Sequence, residues 1–171
     1  RPRPPRDEAH ARASGEFADA LFVAACRAAQ LTRVFFYHNA TDRILAAATL
    51  IGKAYRQKKP VLVYAPAREV ESALDRALWM YPATGFIPHV KISSPFATET
   101  PVLLADTLDV LPQDERLLNL SPDVPPGFAR FASLIEVVGQ DPEERRAGRG
   151  RVKFYKDRGY EVTFFNLAEH M

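Results

Sequence analysis

Residues Thr32 to Tyr64 read TRVFFYHNATDRILAAATLIGKAYRQKKPVLVY, and the periodicity of this stretch changes twice. Thr32–Tyr37 is a burst of β-branched and aromatic residues, which predicts a strand. His38–Asp42 reads as a turn in which Thr41 or Asp42 supplies an N-cap. Ile44–Gln57 then follows a helical period. Ile44, Ala47, Ala48 and Ile51 mark its buried face, and Leu45, Leu50 and Tyr55 widen it. Lys58-Lys59-Pro60 breaks the helix. Val61–Tyr64 is a continuous apolar run of the kind found in a strand buried on both faces. Strand, helix and strand in this order predict an α/β fold of Rossmann-like type: one domain with a mostly parallel sheet flanked by helices.

Downstream the alternation continues. Pro66 ends the second strand and Glu69–Trp79 follows as a helix. Short strands are expected at Phe86–Val90, Pro101–Leu104 and Arg116–Leu120. Pro122–Gly127 reads as a turn and Phe128–Val138 (FARFASLIEVV) as a third helix. The last thirty residues hold a fourth helix with both of its ends marked. Asp141 caps it, Pro142 takes the first helical position, and Glu143 and Glu144 meet the positive end of the dipole. Lys156 and Arg158 lie in the last turn, and Gly159 stops it. From Tyr160 the period becomes two, which predicts a terminal strand.

Composition sets bounds on function. The chain has 171 residues, 47% hydrophobic and 26% charged, with a formal net charge of +2. That total gives no argument for nucleic-acid binding; only local clustering could. The single cysteine, Cys26, permits no internal disulfide and no multi-cysteine metal site, in keeping with a reducing, cytoplasmic compartment. No apolar run reaches the roughly 20 residues of a membrane span. The first 31 residues read as an extension: an Arg- and Pro-rich arm, then an amphipathic helix over Phe17–Gln30. Val23–Cys26 resembles a lipoprotein cleavage box, but the apolar run before it is short, and Glu16 and Asp19 sit where a signal would be basic or apolar. The domain proper is expected over residues 32–171.

The chemistry of a nucleotide enzyme is missing where this fold would carry it. The turn after the first strand, His38-Asn39-Ala40-Thr41-Asp42, has no glycine, and the closely spaced Gly148 and Gly150 lie inside the last helix. No residues form an acid, base and nucleophile set, so no catalytic residue is assigned, and no metal or cofactor is expected. His38 ends a strand at the carboxyl edge of the sheet, where ligands often bind, but a structural role is its default reading. His89 reads as a strand-edge residue. An enzyme that binds a nucleotide or phosphate through an atypical first loop remains the competing class.

Two features point to binding. Trp79 and Phe86 put large apolar side chains at a helix end and in the loop after it, which suits interface anchors. In the last helix Arg145, Arg149 and Lys153 recur at i, i+4 and i+8, and so share a face. Around them seven basic residues (Arg145, Arg146, Arg149, Arg151, Lys153, Lys156 and Arg158) face three acidic ones. Val152, beside a small apolar groove, completes a receptor for an acidic ligand with an apolar end. Direct binding of single-stranded DNA is disfavoured, because no series of aromatics interleaves with the cations.

Taken in order, Thr32–Asn39, Ala73–Trp79 with Phe86–His89, Leu118–Ser121, Phe128–Val138 and Ala147–Gly159, with its Arg-x-x-Phe-Tyr-Lys-x-Arg-Gly-Tyr run, resemble the chi subunit of bacterial DNA polymerase III holoenzyme. The resemblance covers about Thr32 to Asn166. It implies a Rossmann-like clamp-loader accessory subunit, not itself catalytic, within a DNA-directed DNA polymerase complex active in DNA replication, and needing no cofactor. It implies two partners. A psi subunit would bind through the positions of Trp79 and Phe86, a surface at which a helicase could compete. The acidic C-terminal tail of single-stranded DNA-binding protein, which ends in a phenylalanine carboxylate, would bind at the positions of Arg145, Arg149 and Lys153. DNA would be met only indirectly, and no membrane is involved. Some members carry an aromatic where this chain has Val152. Members usually begin at the strand matching Thr32, so the preceding residues are read either as a start-site artefact, with translation from Leu31, or as a genuine arm.

Overall fold

The structure, a computed structural model, describes residues 31–80 and 86–169. The expected N-terminal arm and helix, Cys26, and the loop residues 81–85 lie outside the described residues. The described residues include seven strands: β1 (Arg33–Ala40), β2 (Val61–Tyr64), β3 (His89–Lys91), β4 (Val102–Ala105), β5 (Arg116–Asn119), β6 (Ser133–Gly139) and β7 (Val162–Asn166). They form one sheet in the order β3-β4-β2-β5-β6-β1-β7, and every pairing is parallel. The described residues include three α-helices: α1 (Arg43–Arg56), α2 (Arg68–Met80) and α3 (Pro142–Asp157). This is the Rossmann-like α/β architecture that the alternating pattern predicts.

Both faces of the sheet are covered, so the central strands are apolar throughout rather than alternating. The α1 alanines, Ile51, and Leu74 and Leu78 of α2 pack on one face against Val61, Val63, Val102, Leu104, Leu118 and Val137. On the other, Tyr155 of α3 joins Phe128 and Phe131 over Val34, Leu62, Leu103, Leu117 and Leu134. The predicted caps form: the Asp42 carboxylate accepts from Leu45 N at 2.9 Å, and Asp141 accepts from the amides of Glu143 and Glu144. Gly159 has φ +81°, and Tyr160 N–H returns to the Tyr155 carbonyl at 3.0 Å.

Two expectations are corrected. Phe128–Val138 is not a helix. Phe128–Arg130 is a single 3-10 turn, and Ser133–Gly139 is β6, paired between β1 and β5. Phe128, Phe131, Leu134, Ile135 and Val138 match a helical template by spacing, but a strand buried on both faces shows no period of its own. Lateral pairing and the β-branched Ile135, Val137 and Val138 decide the outcome. Second, His38 and Asn39 do not begin the turn; β1 runs on to Ala40, with a register irregularity against β6 between Tyr37 and Ala40.

A polar cluster joins α3 to the sheet. Glu136 of β6 is fully buried and accepts from Arg151 Nε at 3.0 Å, from the Tyr155 hydroxyl at 2.6 Å and from Asn119 Nδ2 at 3.1 Å. Arg151 Nη1 also donates to the Pro122 carbonyl at 2.7 Å. Burial first, and then the Glu136 charge, push the Tyr155 hydroxyl well above the usual tyrosine range. Gly148 brings the helix onto this surface: a Cβ there would stand 3.0 Å from Val138 Cγ2 and 3.2 Å from Phe36 Cζ. At Gly150 a Cβ would meet nothing within 4 Å.

The two glycines therefore respond differently to alanine. Gly150→Ala gains helix propensity without a contact and raises stability by roughly 0.5–1 kcal/mol in urea denaturation. Gly148→Ala forfeits that gain by displacing Val138 and Phe36, and is no more stable than wild type. Alkaline pH tests Tyr155. Its native hydroxyl stays protonated while an unfolded tyrosine ionises near pH 10, so stability is fully present below that value and declines above it. Above about pH 10 the wild type loses up to ~1.4 kcal/mol per pH unit more than Tyr155→Phe does.

Candidate functional site

The inward face of α3 is fixed by Gly148, Arg151 and Tyr155, which are its buried residues. Successive residues turn by about 100°, so Arg145, Arg149, Val152, Lys153 and Lys156 emerge together along the side that looks toward β1 and β7. A cavity of about 820 Å³ opens there. Its lining joins these five residues with Asp157, with Phe36, His38 and Asn39 of β1, with Val138 of β6, and with Phe164 of β7. All four residues singled out for an acidic ligand thus line one pocket at the carboxyl ends of β1 and β6.

The cations are held differently. Arg145 Nη2 donates to Asn39 Oδ1 at 2.8 Å. Lys153 Nζ pairs with Asp157 Oδ2 at 2.9 Å; that hydrogen bond, and then the Asp157 charge, raise the lysine's pKa. Lys156 Nζ lies 5.0 Å from the centroid of the Phe164 ring, within cation–π range. Arg149 makes no hydrogen bond or ion pair among the described residues, so its five donors point to solvent or ligand. The apolar lining is largely aromatic: Phe164 meets Phe36 edge-on at 5.6 Å and His38 at 6.4 Å. On α3 this wall of the pocket is Val152, and the rings stand on the strands instead.

Arg151 leaves the basic cluster, since it is buried and spent on Glu136 and Pro122. Sequence reasoning missed Phe36, Asn39 and Phe164, and it noted His38 at the carboxyl edge of the sheet but read it as structural by default. The available signal was the period of two: Phe36 and His38 share a face of β1, and Phe36 and Phe164 are register partners.

Trp79 and Phe86 come together elsewhere. Their rings lie 4.8 Å apart, and they are 62% and 53% exposed, with Met80 exposed beside them. The buried His89 ring packs against both at 5.6 and 6.3 Å. His89 Nδ1 contacts the Ile87 carbonyl at 2.7 Å, and Nε2 contacts Asp75 Oδ1 at 3.2 Å. This histidine, expected at a strand edge, is a buried prop for the exposed pair.

The crevice where a doubly wound sheet commonly receives a nucleotide carries Arg43, Glu143, Glu144, Pro122 and Arg151 in its walls and has about 310 Å³. Glu144 accepts from Gly139 N at 2.8 Å and pairs with Arg43 at 3.4 Å, so a carboxylate already takes the amide that would face a phosphate. Burial lowers the pKa of Arg43, and Glu144 opposes that shift. Among the described residues no cluster of three or more His, Cys, Asp or Glu is placed to hold a metal, and no helix is long and apolar enough to cross a membrane.

A family model described as DNA polymerase III chi subunit, HolC, matches residues 31–163. The chain belongs to this family. It is also 32% identical over 143 residues to the DNA polymerase III subunit chi of Pseudomonas aeruginosa, covering 80% of this chain and 98% of that protein. Membership of the chi family makes it an accessory subunit of DNA polymerase III, with a role in DNA replication. The matched segment contains Trp79, Phe86 and every residue lining the α3 pocket except Phe164, which follows its last residue.

Proposed function

We propose that this protein is a non-catalytic bridge within DNA polymerase III. On this reading the α3 pocket takes the acidic C-terminal tail of single-stranded DNA-binding protein, and the Trp79–Phe86 surface takes a psi subunit that ties the chain to the clamp loader. The observation that carries it is the convergence of Arg145, Arg149, Lys153 and Lys156 on a cavity that Phe36, Val138, Val152 and Phe164 line with apolar surface, beside His38, Asn39 and Asp157. An acidic peptide ending in phenylalanine needs both halves. Its carboxylates pair with guanidinium and ammonium groups, and its terminal ring finds Phe36, Val138, Val152 and Phe164. Arg149 is the natural partner for the terminal carboxylate, because its fork is uncommitted and suits bidentate pairing.

At the other surface, two tilted, exposed aromatic rings packed on a buried histidine form an apolar anchor of the type that dominates protein interfaces. A helicase that used the same anchor would compete with psi. DNA is reached through the tail-bearing protein and not directly. In the crevice beside Glu144 a carboxylate already takes the Gly139 amide, which counts against the nucleotide-enzyme reading.

Calorimetry with a synthetic aspartate-rich peptide ending in a free phenylalanine carboxylate tests the pocket. Arg149→Ala is expected to weaken binding by more than about 1 kcal/mol, and affinity should fall as salt rises. An unchanged affinity in Arg149→Ala would overturn the assignment, and a thermal shift with nucleotides but not with peptide would favour the enzyme class. For the second surface, pull-down from the native cell with Trp79→Ala should lose the psi partner and keep the tail-bearing protein, with Arg149→Ala doing the reverse. Loss of the same partner by both variants would show that the two surfaces are not separate.

A further inference from the structure

We infer that Asn39 and Asn166 act as positioning residues that set the Arg145 guanidinium at the mouth of the pocket; this rests on the acidic-tail reading above. A continuous chain of side-chain hydrogen bonds runs across the end of the sheet. Arg145 Nη2 donates to Asn39 Oδ1 at 2.8 Å, Asn39 Nδ2 donates to Asn166 Oδ1 at 2.9 Å, and Asn166 Nδ2 donates to Glu169 Oε1 at 2.6 Å. The direction of every link follows from the two ends. A guanidinium can only donate and an ionised carboxylate can only accept, so both amides between them have one consistent orientation. A flip of either would set donor against donor or acceptor against acceptor.

The backbone is arranged to present this chain. Asn39 adopts φ +63°, the left-handed region in which asparagine is several-fold enriched among non-glycine residues. It does so within the register irregularity at the end of β1. Gln140 Nε2 donates to the Asn39 carbonyl at 3.3 Å, which ties the same residue to the segment that enters α3. On β7, Asn166 is the register partner of His38, and its Oδ1 also accepts from Ala168 N at 3.2 Å, so the closing 3-10 turn Leu167–Glu169 holds the amide from behind. One arginine of α3 is thereby braced from two strands and the last described turn. Arg149 has no such brace. Among the four cations of the pocket, Arg145 is thus the one held at the rim by the sheet, and it selects the path by which an acidic segment approaches the apolar lining.

Asn39→Gly tests this without a folding penalty at that residue, since glycine accepts φ +63° freely and only the amide is lost. The measurement is calorimetry with the same aspartate-rich, phenylalanine-terminated peptide on wild type, Asn39→Gly, Arg145→Ala and the double variant, with thermal melting of each. The expected result is an affinity reduced about fivefold in Asn39→Gly, the scale of one ordinary hydrogen bond's net contribution, and no further reduction when Asn39→Gly is added to Arg145→Ala. Asn166→Ala, which frees the Asn39 amide, should lower affinity in the same direction. Wild-type affinity in Asn39→Gly, or an equal loss in the presence and absence of Arg145, would overturn the positioning role while leaving the tail reading intact. If wild type itself fails to bind the peptide, the tail reading falls, and the positioning role falls with it.

Discussion

Glu136 is a carboxylate with no access to water, and the geometry around it constrains the rest of the molecule. Such a group is tolerated only when donors surround it, and here Arg151, Tyr155 and Asn119 supply them from a helix and a neighbouring strand. A buried ion pair of this sort adds little net stability over an apolar replacement, but misalignment would leave an unpaired buried charge at a cost of several kcal/mol. The consequence is orientational. Arg151 and Tyr155 must both face β6, which fixes the rotation of α3 about its own axis. With about 100° per residue, that rotation sends Val152, Arg145, Lys156, Arg149 and Lys153 out along one adjacent stripe. The charge in the core thus determines where the charges of the surface stand. Gly148 sets the remaining variable, the distance of the helix from Val138 and Phe36.

The same sheet explains why the pocket lies where it does. A doubly wound sheet offers a crevice at the carboxyl ends of its strands where helices depart to opposite faces. In this chain α1 leaves β1 for one face and α3 leaves β6 for the other, but the crevice between them is walled by the Glu144–Arg43 pair, and Glu144 takes the Gly139 amide. The open concavity is displaced to one side, between α3 and the strands β1 and β7. There the floor is side chain rather than glycine backbone, and the positive charge comes from long Arg and Lys side chains rather than from amides aimed at a phosphate. Such a site suits an extended acidic segment, which can be gripped at several points along its length.

How much of this was legible beforehand depended on whether a signal was local. The β1–α1–β2 unit and the bounds of α3 follow from caps, breakers and periodicity, all of which act within a few residues. The cation stripe was legible for the same reason, as an i, i+4, i+8 pattern. The third helix predicted over Phe128–Val138 failed because β6 is buried on both faces, so its apolar spacing carried no period that could separate strand from helix. Arg151 looked like one more surface cation, since nothing local marks it as the partner of Glu136, fifteen residues away. Asn39 and Phe164 join the pocket only through pairing between β1 and β7, a contact spanning more than a hundred residues of sequence.

The strand order also bears on how two partners could be held at once. The Trp79–Phe86 pair lies at the end of α2 and ahead of β3, one edge of the sheet, while the α3 pocket borders β7, the other edge. Six strand spacings separate these edges, about 29 Å at roughly 4.8 Å each. The helices that carry the two surfaces also pack on opposite faces. On the proposed reading, occupation of one surface leaves the other sterically free, and at this separation charges at the α3 pocket are screened from the aromatic pair by several Debye lengths at physiological salt. A bridging role needs that independence: the affinity of each partner is set by its own edge of a rigid sheet, and the sheet supplies only the distance between them.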